Sequence, residues 1–240
     1  MTGNPTLSPK VYSDAALASR GEPMTVQGAV NKTGILLILL ACSAFYTWQH
    51  MDTAMGWMVG GMIGGLILAL ITSFKPTWSP ITAPLYAIFE GLFIGGISSI
   101  FEQRYPGIVA QAVALTFGTL AALLGAYTMG LIRATNGFRR GVVAATGGIC
   151  LLYFVSWILG FFHIQIPGIF GAGPVGILFS LFVVVIAALN LVIDFDMIES
   201  SAKAGAPKYM EWYSGFALLV TLVWLYLEIL RLLSKLNRRD

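Results

Sequence analysis

The segment GILFSLFVVVIAALNLVIDFDMIES, residues 176–200, joins a nearly unbroken apolar run to three acidic residues. A helix of about 20 apolar residues is long enough to span the hydrocarbon core of a lipid bilayer. Asp194, Asp196 and Glu199 follow directly at the end of this run. The segment therefore predicts a membrane-spanning helix that carries acids close to its apolar part.

The rest of the chain has the same character. Of its 240 residues, 57% are apolar and 10% are charged, whereas a soluble domain carries about 25% charged residues. Seven apolar runs can be read along it: Gly34–Trp48, Ala54–Ser73, Ile81–Phe101, Ile108–Ile132, Gly141–Phe162, Pro174–Ile193 and Trp212–Leu233. The first run is short and must recruit Asn31–Thr33 and Gln49 to span a bilayer. We predict an all-α polytopic membrane protein with seven transmembrane helices.

Residues 1–32 differ from the rest of the chain. They contain prolines and charges of both signs, and they have no apolar centre of the kind that defines a signal peptide. We therefore expect a flexible polar N-terminal tail over residues 1–32 and a seven-helix transmembrane domain over residues 33–240.

The basic residues indicate an orientation, because cytoplasmic loops carry an excess of Lys and Arg. With the N-terminus in the cytoplasm, the tail and the even-numbered loops hold Lys10, Arg20, Lys32, Lys75, Arg133, Arg139, Arg140, Lys203 and Lys208. The odd-numbered loops hold only Arg104. Four residues beyond the last apolar run oppose this bias: Arg231, Lys235, Arg238 and Arg239. Since the early short loops usually dominate orientation, we expect a cytoplasmic N-terminus.

Glycines recur at four-residue spacing in two of the runs. They are Gly56, Gly60 and Gly64 in the second run, with Gly61 and Gly65 beside them, and Gly91 and Gly95 in the third. Small residues let helices approach closely in lipid, where no hydrophobic force drives their association. The pattern predicts helix–helix contacts within the bundle, and a homodimer face is the alternative.

Four acidic residues lie within the predicted spans or at their ends. They are Glu90 in the third span, Asp194 and Asp196 at the end of the sixth, and Glu228 in the later half of the seventh. A charge at the centre of such a helix costs about 2.5–3.5 kcal/mol on insertion scales. Because an ionisable residue inside a membrane is a functional-site hypothesis by default, these four acids form the candidate site.

Helical geometry groups these acids with other polar residues. Asn190 and Asp194 are four residues apart and therefore share one face of the sixth helix. A second polar stripe, on the seventh helix, consists of Thr221, Trp224, Glu228 and Arg231. If the two helices are neighbours, the carboxylates of Asp194 and Glu228 can meet inside the bundle.

Each acid also has a simpler interpretation. Asp196 and Glu199 share a face and can be solvated at the end of a helix. Glu228 can pair with Arg231 one turn later. Glu90 can serve as a hydrogen-bonding contact between helices.

Two carboxyl groups held close together in a medium of low dielectric do not both ionise easily, and they tend to share a proton. Such a pair can respond to pH. Its ionised form is an oxygen-rich site for a cation, and calcium prefers six to eight oxygen ligands, which carboxylates, carbonyls and water supply. Protonation then competes with cation binding.

Three segments carry a family resemblance. PLYAIFEGLFIGGISSIFE, LVIDFDMIE and GAPKYMEWYSGFALLVTLVWLYLEILRLLSKL occur in this order on the third, sixth and seventh helices. Together they resemble the Bax inhibitor-one family of membrane proteins, in particular a bacterial branch of it. The resemblance covers the chain from about Lys32 to its end.

The resemblance implies a fold and a function. It implies seven spans with the last helix at the centre of a six-helix surround, and a pH-sensitive calcium leak as the activity of some members. The acids thought to sense the proton lie on the last two helices, at the positions of Asp194 and Glu228, and the family's Glu-Gly on the third helix matches Glu90–Gly91. A role in suppressing cell death, known for eukaryotic members, is not implied by these residues.

This chain departs from the family pattern at two positions. Ile193 stands where the family has a tyrosine before the aspartate, so that Asp196, which follows Phe195, is an alternative counterpart to Asp194. The acid on the last helix is Glu228 rather than an aspartate.

The residues and the resemblance lead to one hypothesis. We expect a pH-sensitive cation leak channel or transporter, with calcium as the expected ion. Protonation of Asp194 and Glu228 would gate it, and the same two residues would be the metal ligands. Asp196 and Glu90 complete the expected proton-sensing and ion pathway. No resident cofactor is expected, although transported or transiently bound calcium is.

Other classes of function can be weighed against this one. An enzyme is disfavoured, because the chain has no Gly-x-Gly-Asp, no His-Glu-x-x-His and no phosphate-binding loop. A membrane interaction protein that regulates a protease or another channel is the alternative. The expected partners are membrane lipid, a cation and a second membrane protein, with no nucleic acid, and the expected location is the bacterial cytoplasmic (inner) membrane.

Overall fold

The computed structural model describes residues 22–50, 54–162 and 168–238, and within these ranges the chain is helical. The helices are α1 (Val26–Gln49), α2 (Ala54–Phe74), α3 (Ser79–Arg104), α4 (Ile108–Thr128), α5 (Asn136–Phe161), α6 (Pro174–Lys203) and α7 (Met210–Asn237). A single turn of 3-10 helix, Pro76–Trp78, precedes α3. The β structure of the described ranges is limited to an isolated bridge between Pro23 and Pro207. The all-α prediction is confirmed.

All seven helices are long and apolar enough to cross a bilayer, so this is a multi-pass membrane protein. The last two helices extend beyond their apolar runs. The sixth continues beyond Ile193 to Lys203, so Asp194 and Asp196 lie inside a helix. The seventh runs from Met210 to Asn237, so its first and last turns contain charged side chains.

The first helix begins earlier than expected. Of the predicted tail over residues 1–32, the structure describes the part from residue 22 onward, and α1 already begins at Val26. Thr25 is its N-cap, and the Thr25 hydroxyl accepts a hydrogen bond of 2.9 Å from the backbone N–H of Gly28. The first apolar run is too short to span a bilayer, and the helix gains the missing length upstream. Residues 1–21 lie outside the described part of the chain.

The described residues divide into two compact units. The N-terminal unit consists of residues 22–50, 54–104 and 194–220, which form α1, α2, α3, the end of α6 and the first part of α7. The C-terminal unit consists of residues 105–162, 168–193 and 221–238, which form α4, α5, most of α6 and the second part of α7. The two last helices thus contribute to both units.

The N-terminal unit is organised around α3, which packs against α1 and α2. Its core joins three helices through these buried residues: Leu36, Ala83, Tyr86, Ala87, Phe216 and Leu219. The rings of Tyr86 and Phe216 meet edge to face with 4.8 Å between their centroids, a favourable arrangement for aromatic pairs. This contact fixes the first part of α7 against α3.

The glycine pattern is confirmed in part. A Cβ atom at Gly95 would lie 2.2 Å from the backbone oxygen of Ala44, and one at Gly91 would lie 2.3 Å from that of Leu40, so α3 and α1 approach each other backbone to backbone. On α2, the glycines that contact α3 are Gly61, Gly64 and Gly65. The expectation for Gly56 and Gly60 was wrong: no described atom lies within 4 Å of a Cβ built at either position.

The C-terminal unit has a smaller buried core. Ile149 of α5 packs with Val183 and Ile186 of α6, and Tyr153 and Trp224 are among the half-buried side chains around them. These contacts hold α5, α6 and the second part of α7 together.

The helices differ strongly in burial. In the most apolar stretch of α7, 61% of the residues are buried, followed by 50% in α6 and 44% in α3, whereas the other four helices have 11–22%. Polar side chains on α6 and α7 are therefore the ones most strongly removed from lipid and water. The central position that the resemblance implies for the last helix stays a prediction.

Candidate functional site

Burial distinguishes the two aspartates of α6. Asp194 is completely buried, with 0% of its surface exposed, whereas Asp196 is half-buried. Asp194 belongs to the N-terminal unit and Glu228 to the C-terminal unit, and the approach of these two carboxyls stays a prediction. The environment of each acid is therefore described within its own unit.

Glu228 lies in a three-residue cluster with Arg231 and Tyr153, and 2% of its surface is exposed. The Nη1 atom of Arg231 donates to the two carboxylate oxygens at 3.0 and 3.2 Å. The Tyr153 hydroxyl donates to the same two oxygens at 3.1 and 3.2 Å. Nη1 also donates to the Tyr153 hydroxyl oxygen at 2.6 Å. The simpler interpretation of Glu228, a pair with Arg231 one turn later, is thus confirmed as a contact.

Aromatic contacts hold Tyr153 in this position. Its ring lies 6.1 Å from the ring of Phe170 and 6.3 Å from that of Phe179, measured between centroids. The guanidinium carbon of Arg231 is 5.1 Å from the centre of the Tyr153 ring, within the range of a cation–π contact. The phenol therefore reaches the Glu228 carboxylate as part of a packed aromatic group.

This cluster stabilises a buried carboxylate through a cation that is itself partly exposed. A carboxylate buried in an apolar span needs an opposite charge and hydrogen-bond donors, which Arg231 and Tyr153 supply. The side chain of Arg231 is 40% exposed, so the partner of a fully buried acid remains partly accessible. Neutralising the Glu228 carboxylate would remove the charge that pairs with Arg231.

The predicted polar face of α6 is also present. Asn190 is buried, and its side-chain amide donates to the Thr146 hydroxyl at 2.9 Å and to the backbone oxygen of Ile186 at 2.8 Å. The first of these bonds joins α6 to α5. Asn190 thus takes part in an interhelical hydrogen bond, which is a common use of polar residues in membrane helices.

The polar stripe of α7 is longer than the sequence indicated. Arg231 and Lys235 were counted as basic residues beyond the last span, and this was wrong, because α7 continues to Asn237. Lys235 is 6% exposed, and it lies one turn after Arg231 on the face that carries Glu228. Both cations lie within α7 and make hydrogen bonds in the C-terminal unit, Lys235 as a buried residue and Arg231 as a partly exposed one.

Glu90 lies at a contact between α2 and α3 in the N-terminal unit. A Cβ atom at Gly65 of α2 would be 3.1 Å from the Oε2 atom of Glu90. Tyr86, one turn earlier on α3, interacts with the same carboxylate. The position supports the simpler interpretation of Glu90 as a polar contact between two helices.

Glu211 is a buried acid that the sequence reasoning missed, because the last apolar run was taken to begin at Trp212. Its Oε1 atom accepts hydrogen bonds from the backbone N–H and the hydroxyl of Thr25, at 3.0 and 3.1 Å. It also pairs with Lys208 at 3.2 Å. A Cβ at Gly28 would lie 2.0 Å from this oxygen, so glycine makes room for the carboxylate. Glu211 thereby ties the start of α7 to the start of α1.

A second contact reinforces this tie. The backbone N–H of Met24 donates to the oxygen of Ala206 at 2.7 Å, beside the bridge between Pro23 and Pro207.

The sequence reasoning also missed Tyr153 and Lys235, because Tyr153 lies within an apolar run and Lys235 follows the last one. A tyrosine inside a span is a weak signal, whereas a lysine one turn after Arg231 was a readable one.

Within the three described ranges, no group of three or more His, Cys, Asp or Glu side chains is arranged to hold a metal ion. Glu90, Asp194 and Glu228 therefore do not form one such cluster. A cation held by these acids would take the rest of its oxygen ligands from carbonyl groups and water.

A comparison with protein families decides the affiliation of the chain. The model of the family described as Bax inhibitor 1 like matches residues 4–238. The chain belongs to the Bax inhibitor-one family. The match begins well before Lys32, so the expected limit of the resemblance was wrong, and most of residues 1–32 lie within the family region. No curated protein and no solved structure matched the chain.

Proposed function

We propose that this Bax inhibitor-one family protein is a pH-sensitive leak channel or transporter for cations, with calcium as the preferred ion. Protonation of buried carboxylates on α6 and α7, those of Asp194 and Glu228, gates the flux, and the same carboxylates are the cation ligands. The protein moves an ion and catalyses no reaction. Its location is the bacterial cytoplasmic membrane, with the N-terminus in the cytoplasm.

The observation that carries this proposal is the cluster of Glu228, Arg231 and Tyr153 on the most buried helix. An almost fully buried carboxylate is held there by a cation whose side chain is 40% exposed. Three species therefore compete for the same two oxygens: the Arg231 guanidinium, a proton and an incoming cation. When Glu228 is ionised, its carboxylate forms an ion pair with Arg231. A cation binds to this carboxylate only after Arg231 moves away.

Asp194 supplies the second acid of the proposal. It is completely buried and lies one helical turn after Asn190. An ionised carboxyl group is costly away from water, so the loss or gain of a proton there changes the contacts that the surrounding helices must supply. Asp196, which is half-buried, has a secondary role along the pathway, as has Glu90.

The test uses purified protein in calcium-loaded vesicles containing a fluorescent indicator. Flux is measured over a range of pH for wild type, Asp194→Asn and Glu228→Gln. Glu199→Gln is the matched control, because Glu199 sits at the partly exposed end of α6 and pairs with Lys203. We expect the pH dependence of flux to be lost in the two buried variants and kept in the control.

Unchanged pH dependence in both buried variants rejects the gating role of these acids. Absence of flux from the wild type at every pH rejects the transport proposal itself. In that case, a membrane protease or channel that crosslinks to the protein in the native membrane would favour the regulatory alternative.

A further inference from the structure

Lys235 is a buried cation in the last turn of α7. With 6% of its surface exposed, its ammonium group is removed from water. It donates hydrogen bonds to the backbone oxygens of Ile169 and Gly176, at 3.0 and 2.9 Å. A buried lysine usually finds a carboxylate, and here two uncharged carbonyl oxygens hold it instead.

The chain around these two carbonyls is built to bring oxygens together. A Cβ atom at Gly176 would lie 2.0 Å from the backbone oxygen of Gly171 and 2.9 Å from that of Gly168. Only glycine fits at position 176, because the carbonyl oxygens of the preceding turn lie against its Cα. Rings of carbonyl oxygens replace the hydration shell of small cations in selective channels.

One further oxygen is available on the same face of α6. Ser180 follows Gly176 by four residues and therefore lies one turn along the helix. It is 1% exposed, and its hydroxyl has no hydrogen-bond partner among the residues that the structure describes. A buried hydroxyl without a partner is unfavourable, and a cation nearby would satisfy its oxygen.

Charge along α7 links this feature to the proposed pathway. Glu228, Arg231 and Lys235 share one face at a spacing of three and four residues, and Lys235 interacts electrostatically with the other two. A mobile cation is attracted by Glu228, and it is repelled by the two fixed cations beyond it. The end of the stripe at Lys235 is thus closed to cations by charge.

We propose that Lys235 is a tethered cation: its ammonium group occupies a site of carbonyl oxygens, from Ile169 and Gly176, that holds a small monovalent cation when the lysine is absent. By occupying this site Lys235 closes the end of the polar stripe. The existence of the site is independent of transport, whereas the closing role rests on the proposed function. Replacement of Lys235 would also destabilise the protein if the residue had a purely structural role. The test therefore measures whether the stability of the variant depends on the cation present.

The first experiment measures thermal unfolding of Lys235→Ala in detergent. Ammonium or potassium chloride is compared with tetraethylammonium chloride at equal ionic strength, because the bulky ion cannot reach a carbonyl site. We expect the small ions to raise the Tm of the variant by about 2–4 °C, the shift that one site produces at about five times its dissociation constant in a chain of this size. Adding Ser180→Ala to this variant should reduce the shift.

Wild type and Lys203→Ala are the controls and should show no such difference, since Lys203 is an exposed lysine whose side chain is 75% exposed. A folded Lys235→Ala protein whose Tm is the same in all three salts overturns the site. If that variant does not fold, Lys235→Ser is measured in the same way.

The second experiment measures leak in the vesicle assay described above. Lys235→Met removes the charge and keeps most of the apolar side chain, and it should leak several-fold faster than wild type, while Lys235→Arg keeps the leak low. Equal leak in wild type and Lys235→Met overturns the closing role. If wild type shows no flux at all, the proposed function fails, and the unfolding experiment still decides whether the carbonyl site exists.

Discussion

At the scale of single residues, two buried acids, Glu228 and Glu211, contact donors that lie close in sequence or at another helix. Glu228 contacts Arg231 three residues later and Tyr153 of α5. Glu211 contacts Thr25, which caps α1. Each of these acids would be very unfavourable in an apolar span without such donors.

We predict that Arg231→Met destabilises the protein by roughly 3 kcal/mol. This is the low end of the range for breaking a buried ion pair, because the Arg231 side chain is partly exposed. The variant leaves the Glu228 carboxylate buried without its counter-charge. The double variant Arg231→Met/Glu228→Gln should recover most of the loss, since no buried charge remains. Unfolding by SDS, followed by tryptophan fluorescence, measures the stability of both variants against wild type.

The control for these two variants is a substitution in an exposed ion pair. Lys203→Met removes one partner of the exposed pair with Glu199 and should change stability by less than about 1 kcal/mol. A double variant as unstable as Arg231→Met would contradict the view that the pair is held together by charge.

At the scale of helices, the contacts of α3 depend on small residues placed on particular faces. Gly91 and Gly95 allow the backbone of α1 to approach, whereas the contact of α2 uses Gly61, Gly64 and Gly65. The four-residue spacing occurs in two series on α2, one through Gly60 and Gly64 and one through Gly61 and Gly65, and the sequence offered no means of choosing the contacting glycines. The choice depends on which face the neighbouring helix covers.

We predict opposite effects of alanine at two glycines. Gly95→Ala should cost about 1–3 kcal/mol, because the new methyl group meets the backbone of Ala44, which has no rotamer with which to move away. Gly60→Ala should be neutral or stabilise by up to about 1 kcal/mol, because its surroundings among the described residues are open and alanine favours a helix. The same unfolding assay compares them. Equal losses at both positions would show that the α1–α3 contact is not tight.

At the scale of the whole molecule, the chain has seven helices long and apolar enough to cross a membrane, and an odd number of crossings would place its two ends on opposite sides. The loops rich in Lys and Arg are expected on the cytoplasmic side together with the N-terminus. Arg231 and Lys235, two of the four basic residues that oppose this orientation, lie within α7 and make contacts in the C-terminal unit.

We predict that a reporter active only outside the cytoplasm, such as alkaline phosphatase, is active when fused after residue 240 and inactive when fused in the α6–α7 connection at Gly205. A fluorescent protein that matures only in the cytoplasm should give the reverse pattern. If the fusions at Gly205 and after residue 240 report the same compartment, α7 does not cross the membrane.

The number of helices, their membrane character and most of their length could be predicted from the sequence, because a span needs about 20 apolar residues wherever it packs. The buried state of Asp194 and Glu228 followed from the same reasoning, since both sit within or beside an apolar run. The choice between Asp194 and Asp196 as the more buried acid could not be made, as both lie on one helix two residues apart.

Tertiary structure alone decided which side chains satisfy the buried charges. Tyr153 reaches Glu228 from a different helix, and Thr25 reaches Glu211 across most of the chain. Lys235 donates to one carbonyl before α6 and to another in its first turn. Local sequence predicts that an acid or a lysine in a span needs a partner, because its desolvation is costly. It does not predict the partner when the donor or acceptor comes from another helix, because that depends on how the helices pack.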